Sequence, residues 1–367
     1  MTRETGSPAV SGRAVPDSFR PASQDSPLPP SLSRCADAAR ARREPIAASA
    51  ARYSRYLLVE VPGPWGNSAL DERHFTAPVA RSLAGAAADA NANVLLIRRP
   101  GRQRPAAGSA GSAGSAGSVP RAWAIADTAS EAERVLWGSW ESPDDLLRLD
   151  LAAASPGTAP ASGPQRVALI CTNGKRDLCC ATRGRPVAEA LAAVPGWDCW
   201  ESTHLGGHRF AATTMLLPTG DMFGWLDPPT AVAAVERFDA GQLLLSHYRG
   251  RSGQPGPAQA ALHAAAVRLG DSRRHAFRLA GVKRVPSAKP DDAELWEVLV
   301  SHLAERGTEV TYLVTVARGT PSPALMSCRD ESPKAEARYA AISVTRTGRL
   351  RADWLTGTWR ARQPVPT

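Results

Sequence analysis

Residues 171–210 read CTNGKRDLCCATRGRPVAEALAAVPGWDCWESTHLGGHRF. Four of the six cysteines (Cys171, Cys179, Cys180 and Cys199) and two of the seven histidines (His204 and His208) fall in this one stretch. Thiolate and imidazole donors together suit zinc or an iron–sulfur centre. The spacing is C-x8-C, running from Cys171 to Cys180, followed by H-x3-H. Zinc fingers set their paired cysteines much closer together. The longer loop suits a larger object such as a [2Fe–2S] rhombus, for which mixed thiolate and imidazole ligation is known in Rieske centres. The Rieske ligand spacing itself is not present.

These residues need a scaffold that converges them. RVALIC (166–171) reads as a buried strand, GRPVAEALAAV (184–194) as a helix with Pro186 near its first turn, and WDCWEST (197–203) as the next strand. One helix joins the two strands, so the crossover rule makes them parallel. In parallel α/β units, sites form beyond the carboxyl ends of the strands. Cys171 ends the first strand and His204 follows the second, so both emerge at one edge. Gly206 and Gly207 break regular structure between the histidines and let a tight loop turn both inward. Cys180 returns from the loop that Cys171 opens.

Beyond the second strand, TTMLLP (213–218) and MFGWL (222–226) read as a hairpin. Helices follow over 228–241 and 257–270. The order β-α-β-β-β-α is that of a thioredoxin-like core. The first half alternates β-α-β-β: YLLVEV (56–61), a helix over 76–92, NVLLIRR (93–99) and RAWAIAD (121–127). It has the look of a second, degenerate lobe, and its first strand ends without a cysteine. The expected class is therefore α/β, with a thioredoxin-like lobe, a second α/β lobe and a disordered N-terminal tail. The boundaries are a tail over 1–33, an N-terminal lobe over 34–163, the thioredoxin-like lobe over 164–270 and a C-terminal α/β extension over 271–367. The GSA repeat at 108–118 reads as a flexible surface loop. The extension is expected to hold a helix over 291–306 and strands over 308–317 and 339–345.

Composition narrows the function. The chain has 367 residues and a net charge of +9, and only four of its 44 basic residues are lysine. It lacks a long apolar run or an apolar leader, so neither a membrane span nor secretion is expected. That points to the cytoplasm, where thiols stay reduced and clustered cysteines bind metal or do redox chemistry. The basic balance suits an acidic partner protein. No recognition motif speaks for nucleic acid. P-loop, dinucleotide and G-x-S-x-G signatures are missing from the sequence.

The residues carry a resemblance. CTNGKRDLCCATRGRPVAEAL, WESTHLGGHRFAATTMLLPTGDMFGWL and HYRGRSGQPGPAQAA (247–261) resemble the sucrase/ferredoxin-like family of thioredoxin-like [2Fe–2S] proteins. YLLVEVPGPWG and the segment around Cys328 are also similar to family positions. The resemblance implies one bis-histidine, non-Rieske cluster, with Cys171 and Cys180 on one iron and His204 and His208 on the other. It favours Cys180 over the adjacent Cys179 as second thiolate. Asn173 departs from the family's C-T-H-G pattern, which bears on the hydrogen bonding around the cluster and not on its ligands. Lys175, Arg176 and Arg209 are expected as a basic rim. Cys199 is expected in the core, and Cys35 and Cys328 as isolated residues. The family's label suggests glycoside hydrolysis, yet no carboxylate pair stands at a strand end. The implied function is one-electron transfer with a redox partner. Two rivals remain: a structural zinc site, and a thiol or disulfide oxidoreductase using Cys179 or Cys180.

Overall fold

The computed structural model describes residues 34–70, 74–101, 120–128, 134–151, 163–286, 294–304, 307–319 and 321–347. The expected tail over 1–33 and the 108–118 loop lie outside the described residues. A short helix α1 (Cys35–Ala41) precedes the first lobe. That lobe runs β1 (Arg55–Glu60), α2 (Ala77–Asp89), β2 (Ala92–Arg98), β3 (Arg121–Asp127), β4 (Val135–Trp140) and the short α3 (Pro143–Leu146). The second runs β5 (Val167–Cys171), α4 (Leu178–Ala192), β6 (Asp198–Ser202), β7 (Thr214–Leu217), β8 (Asp221–Phe223), α5 (Pro228–Asp239), β9 (Tyr248–Arg251) and α6 (Gly256–Leu269).

The strands form one sheet in the order β4-β3-β1-β2-β6-β5-β7-β8-β9. Strands β5 and β6 are parallel, in register from Val167↔Asp198 to Cys171↔Ser202. Strand β7 lies antiparallel to β5, and β8 antiparallel to β7. In the first lobe β1 and β2 are parallel, β3 is antiparallel to β1, and β4 to β3. The order β2-β1-β3-β4 therefore repeats β6-β5-β7-β8, which makes the first half a second copy of the same unit. The apolar runs LLV and VALI follow from this, because strands covered on both faces lose the polar alternation. Burial of each large aliphatic side chain there contributes roughly 1.5–3 kcal/mol.

The two copies meet through the antiparallel pairs Ile97↔Ser202 and Arg98↔Glu201. Glu201 is buried and takes an ion pair from Arg98 at 2.6 Å and a hydrogen bond from Thr172 Oγ1 at 2.9 Å. A buried carboxylate needs such partners, since it has lost its water. Trp137 and Trp200 stack across the junction with centroids 6.0 Å apart.

Two sequence expectations change. Helix α4 begins at Leu178, six residues before the expected 184. Asp177 caps it by accepting from the Cys179 N–H at 2.9 Å, so Pro186 sits inside the helix and Cys179 and Cys180 in its first turn. A good cap and the burial of Cys179, Cys180 and Gly184 outweigh the hydrogen bond that proline forfeits.

The second change is larger. The helix expected over 291–306 is strand β11 (Leu295–Leu303), paired between β10 (Phe277–Val285) and β12 (Glu309–Arg318). With β15 (Tyr339–Arg346) they form a four-stranded antiparallel sheet, and β13 (Ser322–Ala324) pairs with β14 (Lys334–Glu336) beside it. Among the described residues the C-terminal extension is thus all-β rather than α/β. Val298 and Val300 point inward with Val314 and Val316, against Ala260, Ala261 and Ala265 of α6. The β-branched pair at a spacing of two decides for the strand. Helix α6 supplies one wall of this core, so the C-terminal sheet packs on the preceding unit. No described helix is long and apolar enough to cross a membrane.

Candidate metal centre

Cys171 ends β5 and is 1% exposed. Cys180, also 1% exposed, comes back to it from the first turn of α4. The loop between them is held by Asn173, whose Oδ1 accepts the N–H groups of Lys175 at 3.1 Å and Arg176 at 3.2 Å. Its Nδ2 donates to the Gly66 carbonyl at 3.1 Å, which ties the cysteine loop to the first lobe. The backbone carbonyl of Cys171 passes so close to α4 that a Cβ at residue 184 would overlap it, which explains Gly184.

His204 stands two residues past β6, and His208 opens a 3₁₀ turn over His208–Phe210. Gly206 and Gly207 between them take φ of 84° and 69°, in the left-handed region. A Cβ on Gly207 would also overlap the Arg249 guanidinium. The donor atoms of Cys171, Cys180 and His204 all lie within 4.8 Å of one another. His208 stands beside this set, its ring centroid 4.9 Å from that of His204 and its Nε2 3.9 Å from Asp177 Oδ2. The sheet edge therefore brings together Cys171, Cys180 and His204, with His208 beside them rather than within the set.

The electrostatics suit a cation. The Cys171 thiol is held well below its usual range, first by a hydrogen bond from Cys180 and then by His204. Cys180 is pushed up, chiefly because its proton serves Cys171. Burial pushes the His208 pKa down, which keeps the imidazole neutral. The Nδ1 atoms of His204 and His208 are buried and have no hydrogen-bond partner among the described residues. Buried polar atoms are normally satisfied, so two orphans at one point fit a pair of ligands.

The neighbouring residues divide. Lys175 and Arg176 are exposed, and Arg176 lines a cleft of about 680 Å³ together with Tyr53, Thr203 and His204. Arg209, expected on a basic rim, is buried instead: it pairs with Glu44 at 3.1 Å and with Glu336, while Arg338 holds Glu44 at 2.6 Å. The loop that points His208 inward leaves the next side chain on the interior side. Cys199 packs in the core as expected, its thiol 3.4 Å from the Ala188 carbonyl, and burial pushes it up to about 12. Cys179 faces away from Cys171 and packs against Cys35, with Cys328 beside them. Cys35 and Cys328 are therefore not isolated.

Sequence reasoning missed Arg249. It is 1% exposed, and donates from Nη1 to the Gly206 carbonyl at 3.0 Å, from Nε to Ser49 Oγ at 3.0 Å, and from Nη2 to the Ser49 carbonyl. Its signal was the HYRGR stretch, which carried resemblance without a stated role.

Fold and site together define an α/β protein of two repeated sheet units, with two cysteines and a histidine converging at the carboxyl edge of the second. The sucrase/ferredoxin-like family model matches residues 46–250, more than half of the chain, and the protein belongs to that family. No curated protein and no solved structure matches it.

Proposed function

We propose that this protein is a one-electron carrier holding one [2Fe–2S] cluster on Cys171, Cys180, His204 and His208. The observation that carries the reading is the meeting of the two thiols with His204 within 4.8 Å, His208 alongside, at one sheet edge. When bound, such a cluster supplies a one-electron redox couple. The chain's residues determine how that couple is reached. Both cysteines are sealed in the core, while both histidines are half-buried on the side of the loop. Exchange with a partner would therefore run through the imidazole side. Lys175 and Arg176 are exposed near that side and favour an acidic partner protein. All six cysteines are free, which accords with a cytoplasmic, thiol-reducing setting.

Protein purified without air should be reddish-brown, with about two irons and two acid-labile sulfides per chain. Two neutral imidazoles in place of two thiolates make the centre less negative. Its midpoint potential should then lie above that of plant-type ferredoxins, about −400 mV. Voltammetry on the anaerobic protein measures this, and a midpoint at the plant-type value would exclude the histidines as ligands. A colourless protein whose only metal at Cys171 and Cys180 is zinc would replace the reading with a structural site.

A further inference from the structure

Three elements far apart in the chain converge next to the centre just described. Cys35 opens α1, Cys179 lies in the first turn of α4, and Cys328 sits between β13 and β14. Their sulfurs form a triangle: Cys179 to Cys328 at 3.2 Å, Cys328 to Cys35 at 3.5 Å, Cys35 to Cys179 at 3.8 Å. The Asp177 carboxylate closes a fourth corner, 3.7 and 3.8 Å from the Cys35 sulfur. All four donor atoms lie within 4.8 Å of one another. We propose that Cys35, Cys179, Cys328 and Asp177 bind a second metal ion, a structural zinc.

Tetrahedral zinc with thiolates at its usual bond length sets sulfurs about 3.8 Å apart; the Cys35–Cys179 edge matches this, and the other two, at 3.5 and 3.2 Å, need only open slightly to admit the ion. The carboxylate is already oriented: its Oδ1 accepts from the Cys179 N–H at 2.9 Å, and its Oδ2 from the Cys328 N–H at 2.8 Å and Ser327 Oγ at 2.9 Å. Outer hydrogen bonds of this kind fix the ligands of metal sites. Three thiols in contact do not ionise together unaided. A divalent cation removes that conflict, and the N-terminus of α4 adds favourable potential for the thiolates. A disulfide between Cys179 and Cys328 would leave the Cys35 thiol without a role.

The consequence is a staple. Cys35 and Cys328 lie on either side of the segment matched by the family model, residues 46–250. The ion would fasten both flanks to the helix turn that carries Cys180. None of its ligands belongs to the first group, although Asp177 Oδ2 lies 3.9 Å from His208 Nε2.

The test is metal analysis of the full chain expressed with zinc and iron. One zinc per chain is expected in addition to the iron. Cys328→Ser and Cys35→Ser should each weaken zinc retention against a chelator at least about tenfold, while iron and visible absorption persist. Cobalt supplied in place of zinc should give thiolate charge-transfer absorption that Cys328→Ser removes. Because Cys35 is buried in α1, alkylation of the wild type gives a second readout: Cys328 should react only after zinc is stripped. Stoichiometric iron with no zinc, zinc retained by both variants, or a Cys179–Cys328 disulfide in protein trapped at lysis would each overturn the proposal.

Discussion

Replacing Cys180 with serine should leave the purified protein colourless, whereas replacing Cys179 should preserve its colour and remove its zinc. The two residues are neighbours in the first turn of α4, and successive helical side chains point about 100° apart. That angle sends them to different places. Cys180 enters the core with Cys171 and Leu205, while Cys179 enters the cluster formed by Cys35, Ala36 and Ala211. Serine is nearly isosteric with cysteine but offers a hard oxygen donor, poorly matched to an iron–sulfur centre. Iron and sulfide should therefore fall to background in Cys180→Ser and in Cys171→Ser. In Cys179→Ser the Asp177 cap on the backbone remains, so the helix turn that presents Cys180 is retained. Visible absorption with iron and zinc per chain reads both sites at once. If Cys179→Ser bleaches and Cys180→Ser does not, the assignment within the pair is wrong.

Much of this centre could be read from the sequence because its geometry is local to one β-α-β unit. Cys171 at a strand end, His204 after the next strand and a glycine pair before His208 suffice to place three groups at one edge. What could not be read depends on chain reversals of great length. Cys35 and Cys328 are separated by 293 residues, and no spacing rule spans that distance. Arg209 looked like a surface cation because arginine usually is one. Its carboxylate partners come from Glu44 and Glu336, outside any local window.

The repeated sheet unit was legible for the same local reason. Each β-α-β-β run declares itself by apolar strands between turn residues, and β4 escaped notice because VLWGSW has a glycine at its centre. The C-terminal sheet was half legible: the strands expected over 308–317 and 339–345 are β12 and β15, while β10 and β11 were missed. Strand β11 carries Glu297, Ser301 and His302 among its apolar residues, which mimics a helical face, and β10 breaks its apolar alternation at Ala280-Gly281 and at Lys283-Arg284. Pairing with β12 and cover from α6 decided the outcome, and neither is visible in a short window.

Arg249→Met should destabilise the protein by about 3 kcal/mol or more and loosen the loop that carries both histidines. Methionine keeps the apolar stem of the side chain and removes its three hydrogen bonds, leaving the Gly206 and Ser49 carbonyls short of a donor in the interior, at about 1–3 kcal/mol each. Amide exchange across 204–210 should accelerate as Gly206 loses its anchor. Arg249 also acts through charge. Burial pushes its pKa down to about 9 and nearby Arg209 adds to that, while Tyr56, Cys171 and Cys180 hold it up. The sign follows: the fall stops above neutral pH, so the guanidinium stays protonated there. A buried cation near two thiolates favours an added negative charge, so its loss should lower the midpoint potential of the loaded protein. Arg249→Lys separates the two effects. It keeps the charge but not the fork that reaches Ser49 and Gly206 together. The lysine variant should hold its potential near the wild-type value while exchanging as fast as the methionine variant. Wild-type stability and wild-type potential in Arg249→Met would show that Arg249 neither braces the histidine loop nor sets the field at the cysteines.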